Sequence, residues 1–274
     1  MTFDPELADL ELRLLFEAIF HRYQYDFRQY TAASMKRRVG VALSELQCPT
    51  ISRLQEWILH DSTVFPTLLR FLTIQVSDLF RDPTYYRAIR TEVAPLLATY
   101  PSLKLWVAGC SSGEEAYSLA ILLSEVGLLD RTLIYATDIN PDALRQAASG
   151  AFELERMAKF SANYLAAGGE GSLSDYYTAA YGHARFHARL RDRIVFSDHD
   201  LATDAVFSEV HLVSCRNVLI YFDRPLQDRA FGLFAEALIR GGFLGLGSKE
   251  SIRFSSHAAA FDGFVEDERL YRKR

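Results

Sequence analysis

Apolar residues recur every three or four positions through the first part of the chain. Leu7, Leu10 and Leu14 are one example, and this spacing predicts amphipathic helices with one buried face. Asp82 precedes a proline, and an N-cap residue followed by a first-turn proline predicts the start of a further helix. Residues 1–95 are therefore predicted to form an all-helical domain.

The pattern changes near Pro101, after which short apolar runs alternate with helical segments. A continuous apolar run such as LKLWVA is typical of a parallel strand that is covered on both faces. The alternation predicts a doubly wound α/β sheet, which binds ligands at the carboxyl ends of its strands. Residues 96–274 are therefore predicted to form the second domain. Its predicted strands are 103–108, 132–138, 194–200, 210–217, 243–248 and one in the C-terminal tail.

Residues 161–193 interrupt this alternation. The segment contains several glycines with tyrosines between them, and two short strands joined around Tyr181-Gly182 fit that composition. We therefore expect a small antiparallel β-subdomain inserted in the second domain. His183 and His187 have a spacing that would suit a metal site on a helix. In a hairpin among arginines a second cation is disfavoured, so no metal site is predicted.

Composition excludes several classes of function. The chain has 30 basic and 35 acidic residues, a formal net charge of −5, which disfavours nucleic-acid binding through bulk positive charge. Three cysteines without a CxxC spacing exclude a disulfide scaffold or a zinc ribbon and fit a reducing compartment. No apolar run approaches the roughly 18 residues of a membrane span, and the first residues are acidic, unlike a secretory signal. We expect a cytoplasmic protein that does not insert into membranes.

The turn after the first predicted strand is rich in glycine and acid. Gly109 and Gly113 would let the backbone approach a ligand closely, although a tight structural turn explains them equally well. Glu114 and Glu115 follow on the first helical turn, where acids also complement the helix dipole. Two carboxylates at a cavity mouth would repel a pyrophosphate and favour a cationic ligand. S-adenosylmethionine, with its ammonium and sulfonium groups, is such a ligand.

Polar residues also end the later strands. Asp138 ends the second predicted strand, where an acid can accept both hydroxyls of a ribose. An alternative role is to cap the helix that opens at Pro141, for which Asn140 is the better candidate. Asp200 and Asn217 end two further strands and are expected at the same edge of the sheet. Together these residues predict one ligand crevice.

Six segments in this order resemble the chemotaxis receptor glutamate methyltransferase family, the CheR family, from about residue 10 to the C-terminus. The resemblance implies methyl transfer from S-adenosylmethionine to glutamate side chains on the cytoplasmic helices of chemoreceptors, with S-adenosylhomocysteine as product. It also implies a helical domain, a class I methyltransferase domain and a small β-subdomain. The segments are MKRRV (35–39), SDLFRD (77–82), WVAGCSSGEEAYSLAILL (106–123), ATDINPDALRQAASGAF (136–152), CRNVLIYFD (215–223) and GGFLGLGSKES (241–251).

The resemblance also implies roles for individual residues. Segment 71–95 is expected to link the domains and to reach the cofactor site. There the chain has Gln75, Ser77 and Leu79 where the family has Asn, Thr and Phe. Arg81 and Tyr221 align with the family's proposed catalytic Arg and Tyr. The implied cofactor-binding residues are Gln75, Ser77, Arg81, Gly109, Glu115, Asp138, Asp200, Leu201, Asn217 and Val218.

The implied reaction needs no general base, because a glutamate is already ionised at neutral pH. The enzyme must instead supply position, in-line geometry and a site that excludes water. The planar guanidinium of Arg81 could hold one carboxylate oxygen and aim the other. Without the motif, an ion pair with Asp78 or Asp82 would explain Arg81, and a half-buried core position would explain Tyr221.

A basic segment is the expected receptor contact. Four basic residues and no acid lie between Phe27 and Ser44, and such a face suits an acidic receptor helix, although a solvated face explains the charge as well. Some relatives also hold a receptor's C-terminal pentapeptide with the β-subdomain and others do not, and arginines 185, 189, 191 and 193 do not decide which applies here. The expected receptor-binding residues are Arg28, Lys36, Arg37 and Arg38.

Two other functions remain open at this point. One is a regulatory module that binds the cofactor but transfers no methyl group, which only the changes at Gln75 and Leu79 favour. The other is a methyltransferase for a different protein or for a small molecule, for which a helical domain with a basic face would be unnecessary.

Overall fold

The computed structural model describes residues 5–274, and its first part is entirely helical, as predicted. An amphipathic pattern produces each helix, and Thr50 caps the third one by accepting a hydrogen bond from the Arg53 amide. The helices are α1 (Pro5–Tyr23), α2 (Ala32–Glu45), α3 (Ile51–His60), α4 (Val64–Leu72), α5 (Pro83–Ala88) and α6 (Ala94–Leu97), with a π-helical turn, Ile89–Val93, between the last two.

The second part alternates strands and helices. Strands at 103–108 and 132–138 and the helix at 141–149 have the predicted bounds. The helices are α7 (Glu114–Glu125), α8 (Pro141–Ser149), α9 (Met157–Ala166), α10 (Ala188–Arg191) and α11 (Arg224–Ala237). The strands are β1 (Leu103–Ala108), β2 (Thr132–Asp138), β3 (Ala151–Glu153), β4 (Tyr177–Ala180), β5 (His183–Phe186), β6 (Ile194–Asp198), β7 (Val210–Cys215), β8 (Leu238–Leu246), β9 (Phe261–Val265) and β10 (Leu270–Lys273).

The large sheet has the order β6-β2-β1-β7-β8-β10-β9. Strands β6, β2, β1, β7 and β8 are parallel, and β10 and β9 complete the sheet in antiparallel pairing. The chain builds outward from β1 to β6 and then returns to the other side of β1 with β7. The strand order therefore reverses between β1 and β7, and doubly wound sheets bind ligands at such a reversal.

The small sheet has the order β3-β5-β4 and is antiparallel throughout. Its hairpin turns at Tyr181 and Gly182, as the composition predicts, and both residues have positive φ, as tight hairpin turns require. Strand β3 precedes the segment predicted as the insertion. Its three residues are too few to give a recognisable alternation of polar and apolar positions.

Burial on both faces of the large sheet explains the continuous apolar strands. Leu105 and Val107 of β1 lie in one buried cluster, whereas Trp106 and Ala108 lie in another. The helical region has its own core, which Leu15, Met35 and Leu54 help to fill. In residues 5–274, no helix is long and apolar enough to cross a membrane.

Candidate active site

An open cavity lies where the sheet order reverses, between the carboxyl ends of β1, β2 and β7 and the end of α4. It encloses about 920 Å³ of space, part of which is open to solvent. Of the predicted cofactor and catalytic residues, all except Asp200 line it. Those residues are Gln75, Ser77, Arg81, Gly109, Glu115, Asp138, Leu201, Asn217, Val218 and Tyr221.

Backbone geometry explains the glycines of the β1–α7 turn. Gly109 has φ +76°, and a Cβ added there would lie 2.4 Å from Cγ2 of Val218. Gly113 has φ +93°, and its Cβ would lie 2.9 Å from Cβ of Ala147. Both positions therefore require glycine for conformation and for space. Gly109 also keeps the turn and the Val218 loop in contact across the cavity.

The two adjacent acids at the start of α7 have different environments. Glu114 is fully buried, and its carboxylate accepts hydrogen bonds from the Ser112 hydroxyl and from Nη2 of Arg156 at 2.9 Å. Burial raises its pKa. Glu115 lines the cavity, and its Oε2 accepts from Nη1 of Arg216 at 3.2 Å. Its Oε1 is buried and has no partner within residues 5–274, so Glu115 is the acid available to a cationic ligand.

Asp138 lies at the end of β2 with both carboxylate oxygens directed by backbone amides. The Ser111 amide donates to Oδ2 at 2.8 Å and the Asn140 amide to Oδ1 at 2.9 Å. Burial raises the pKa of this carboxyl, although the amides oppose the shift. Asn140 caps α8 by accepting from Asp142 and Ala143, as predicted. Each Asp138 oxygen can accept a second hydrogen bond, which leaves Asp138 suited to a ribose diol.

The segment after β6 divides its residues between the cavity and a turn. Leu201 lines the cavity, whereas Asp200 does not. Oδ1 of Asp200 accepts from the Ala202 amide at 2.8 Å, and burial raises its pKa. His199, which the sequence patterns did not single out, also lines the cavity, and its buried Nδ1 has no partner among the residues that the structure describes.

The loop after β7 is held by a residue that the sequence patterns did not identify as functional. Glu250 is buried, and its carboxylate accepts from the amides of Asn217 at 3.0 Å and Val218 at 2.9 Å. The amides of Ile220 and Gly247 donate to it as well. Asn217 has φ +61°, a conformation that asparagine tolerates better than most residues. Because four amides converge on it, Glu250 fixes the loop that carries Asn217, Val218 and Tyr221.

The segment between α4 and α5 brings Gln75, Ser77 and Arg81 to the cavity. Oε1 of Gln75 accepts from the Ser111 hydroxyl at 2.8 Å. Gln75, which stands where the family has Asn, therefore contacts the β1–α7 turn. Asp78 pairs with Lys159 at 2.6 Å, and Asp82 pairs with Arg216 instead of capping α5.

Arg81 therefore has neither of the ion-pair partners considered from sequence. Within residues 5–274 no ion pair to Arg81 is formed, and its Nη1 only approaches the Val76 carbonyl at 3.5 Å. This half-buried cation lines the cavity and is available to an anion.

The four residues of the basic segment do not share one surface. Arg28 pairs with Asp26 at 2.8 Å and Lys36 with Asp9 at 2.8 Å, and Arg37 is exposed. Arg38 is buried in the cavity wall, and its guanidinium carbon lies 4.4 Å from the centre of the Tyr221 ring.

Arg38 has hydrogen-bonding capacity to spare. Its Nη1 donates to the Leu72 carbonyl, whereas Nε and Nη2 are buried and have no partner in the part of the chain that the structure describes. Burial lowers the pKa of this guanidinium. Arg38 therefore turns inward and is not part of an exposed basic face, whereas its role in substrate binding stays a prediction.

The residues of the cavity fit S-adenosylmethionine. The unpartnered Oε1 of Glu115 can accept from an ammonium group, and Asp138 can accept from two hydroxyls. In the part of the chain that the structure describes, no group of three His, Cys, Asp or Glu side chains could hold a metal ion.

Comparison with known proteins identifies the family. Residues 75–264 match the model of the CheR methyltransferase SAM-binding domain, and residues 10–73 match that of the CheR methyltransferase all-alpha domain. Cher3 of Pseudomonas putida KT2440 is 56% identical over 266 residues, which are 97% of each chain. The chemotaxis protein methyltransferase of Listeria monocytogenes EGD-e is 31% identical over 83% of this chain and 84% of its own.

Among solved structures, the glycopeptide N-methyltransferase MtfA complexed with sinefungin aligns with a TM-score of 0.38 and 15% identity. The alignment covers 62% of this chain and 50% of MtfA. A score this low does not by itself establish a shared fold. The two family models, in contrast, together span most of the chain, and the larger one describes a domain that binds S-adenosylmethionine. The protein therefore belongs to the CheR family and is an S-adenosylmethionine-dependent methyltransferase of the chemotaxis type.

Proposed function

We propose that this methyltransferase esterifies glutamate side chains on the cytoplasmic helices of chemoreceptors. Family membership supports chemotaxis methylation, and the cavity supports a carboxylate acceptor. The observation that carries the proposal is that Arg38, which lines the cavity together with Arg81, has two buried nitrogens without a hydrogen-bond partner among residues 5–274. A buried cation without a partner is costly, and a substrate carboxylate would relieve that cost. A neutral small molecule would not.

In the proposed mechanism, one set of residues binds the cofactor and another set orients the substrate carboxylate. When bound, S-adenosylmethionine supplies an electrophilic methyl group on its sulfonium. Glu115 would hold the cofactor's ammonium group and Asp138 its ribose. Both carboxylates also lower the electrostatic cost of a cationic group in a half-enclosed site.

The substrate glutamate is ionised near neutral pH, so its carboxylate can attack the methyl carbon without a general base. The bond between that carbon and the sulfonium sulfur breaks, and S-adenosylhomocysteine is the leaving group. Arg81 holds one carboxylate oxygen through its planar fork and leaves the other free to attack. Arg38 supplies a second positive charge from α2. Tyr221 can donate a hydrogen bond to the carboxylate, and the guanidinium of Arg38 over its ring limits the positions that the phenol can occupy.

The proposed partner is an acidic receptor helix. Arg37 is exposed on α2 next to the cavity wall that contains Arg38, and it can attract acidic residues that flank the methylated glutamate. Arg28 and Lys36 already have acidic partners on this chain, so a receptor would have to compete for them. The same proposal includes recruitment of the protein from the cytoplasm to receptor arrays. It applies whether or not the small sheet binds a receptor's C-terminal pentapeptide.

The test is methyl transfer from radiolabelled S-adenosylmethionine to receptor-containing membranes from the source organism. We expect label on a receptor-sized band, released as methanol by mild alkali, because carboxyl methyl esters hydrolyse in base. Membranes that lack the receptors are the matched control. Absence of label, with S-adenosylhomocysteine binding verified in the same preparation, would contradict the proposal and favour a binding module. Base-labile label in small molecules alone would favour a different substrate.

A further inference from the structure

Arg81 lies in a strained turn. The residues on either side of it, Phe80 and Asp82, have φ of +52° and +57°. Positive φ is uncommon outside glycine, and for a bulky residue such as phenylalanine it is a clear outlier. Such conformations persist only where the surrounding structure holds them, and they occur at functional sites more than elsewhere.

The Phe80 side of the turn is held by burial. The Phe80 ring is fully buried and packs against Tyr86 and Tyr164 with ring centres 5.1 and 5.4 Å apart. The Phe80 amide donates to the Ser118 hydroxyl of α7 at 2.8 Å. These contacts fix the entry into the turn and do not reach Arg81 itself.

The other side of the turn is held by Arg216, whose side chain is 2% exposed. Its Nη2 donates to the carbonyl of Arg81 at 2.9 Å and to Oδ2 of Asp82 at 2.9 Å. Its Nη1 donates to Glu115, and its guanidinium lies over the Tyr85 ring at 4.1 Å from the centre. A lysine could not make these contacts at once, because its ammonium lacks the planar fork.

We propose that Asp82 and Arg216 are positioning residues that hold the strained turn and so aim Arg81 into the cavity. The ion pair ties the turn to the end of β7, while the second arm of Arg216 ties it to Glu115. The cation that orients the substrate and the acid that holds the cofactor thus share one rigid connection. This inference rests on the proposed function, since the role of Arg81 belongs to it.

Substitution of Asp82 tests the inference, because Asp82 does not line the cavity and its side chain is 43% exposed. We expect Asp82→Ala to lower kcat by about 10- to 100-fold while the Kd for S-adenosylhomocysteine changes less than about threefold, as for loss of one orienting group. Turnover is divided by the concentration of sites that bind S-adenosylhomocysteine in calorimetry, which removes any loss of folded protein.

Three further variants separate positioning from general stability. Asp82→Asn tolerates positive φ and keeps an oxygen for Arg216, so it should retain turnover within about fivefold of the unsubstituted protein. Arg216→Lys releases Glu115 as well, so it should lower both kcat and cofactor affinity. Asp262→Ala removes the exposed pair with Arg274 and should change neither.

Amide hydrogen exchange over residues 77–86 supplies a readout that needs no receptor. We expect exchange there to rise at least about tenfold in Asp82→Ala and to stay unchanged in Asp262→Ala. Unchanged exchange in Asp82→Ala, or faster exchange with unchanged turnover, would overturn the inference. If the unsubstituted protein labels no receptor, the proposed function fails, and the exchange result alone then decides whether the pair holds the turn.

Discussion

The two walls of the cavity carry opposite charges. The sheet wall, which includes Gly109, Glu115 and Asp138, presents carboxylates. Arg216 also lines the cavity at the end of β7 and pairs with Oε2 of Glu115, while Oε1 has no partner among the described residues. The opposite wall, called the helical wall here, contains Arg38 of α2 and Arg81 of the segment between α4 and α5, and neither guanidinium has an ion-pair partner among the described residues. One wall is therefore prepared for a cation and the other for an anion.

This difference matches the two proposed reactants. A sulfonium cofactor is cationic and a glutamate side chain is anionic, so each reactant neutralises the wall that it faces. An unpaired buried charge is costly. The wall of carboxylates therefore disfavours the anionic glutamate, and the wall of guanidinium groups disfavours the cationic cofactor. Loss of charge on the sheet wall should therefore lower the affinity for the cofactor. Loss of charge on the helical wall should instead lower the binding or the turnover of the methyl acceptor.

The largest expected effect is that of Arg81→Ala. We expect methyl transfer to fall by about 10²- to 10³-fold, the typical cost of removing one preorganised electrostatic group. The Kd for S-adenosylhomocysteine should stay within about threefold. Radiolabel transfer and calorimetry measure the two quantities. Equal losses in both would assign Arg81 to the cofactor alone and would remove the proposed difference between the walls.

In contrast to Arg81→Ala, Asp138→Asn should weaken cofactor binding and leave turnover nearly unchanged. The variant loses a charged acceptor, and hydrogen bonds to charged groups contribute about 1.5–3 kcal/mol. We therefore expect the Kd for S-adenosylhomocysteine to rise about 10- to 100-fold, with kcat at saturating cofactor nearly unchanged. Asp142→Asn, on the exposed start of α8, is the matched control. A loss of kcat at constant Kd would contradict the ribose-binding role.

Arg38 and Arg37 provide a matched pair on one helix. Arg38→Met removes a buried cation and should raise the KM for receptor about tenfold, with cofactor affinity unchanged. Arg37→Met removes an exposed charge, which salt and water screen, so its effect should stay within about threefold. Steady-state methylation with receptor-containing membranes distinguishes the two. Equal effects would mean that Arg38 contacts the receptor only through surface charge.

The smallest expected effect is on pH dependence. Burial raises the pKa of Asp138 above its usual value, so the carboxylate is lost at a higher pH than for an exposed aspartate. As pH falls through that raised pKa, protonation removes an acceptor, and affinity for S-adenosylhomocysteine should decline by about a few-fold, beginning at a higher pH than for an exposed aspartate. Calorimetry across pH measures the decline. Asp138→Asn should flatten it, and an identical slope in that variant would assign the titration to another group.

Local signals predicted much of the α/β region. Strands β1 and β2 have the predicted bounds because burial on both faces makes each a continuous apolar run. Asn140 caps α8 and Tyr181-Gly182 turns the hairpin, since both features depend on neighbouring backbone. Strand β9 was missed, because its polar and exposed residues give no clear pattern.

The helical region was predicted less well in detail. The face of α1 that carries Leu7, Leu10 and Leu14 is exposed, and Leu15 and Ile19 are among the residues buried instead. Two overlapping sets of apolar residues on α1 satisfy the same helical period, and the sequence alone does not indicate which set packs against the core. The burial of Arg38 was also missed, because charged residues are rarely buried and its partners come from distant segments.

The sequence by itself determined most of the order of helices and strands, although not β3 and β9, and it determined the glycine turn after β1 and the family to which the chain belongs. These features follow from hydrophobic period, backbone conformation and residue identity over short stretches. Only the tertiary structure decided that Glu114 is buried against Arg156, that Arg38 turns inward and that Arg216 donates to the carbonyl of Arg81. Each of these depends on burial and on charges brought together by chain reversal, which no local pattern encodes.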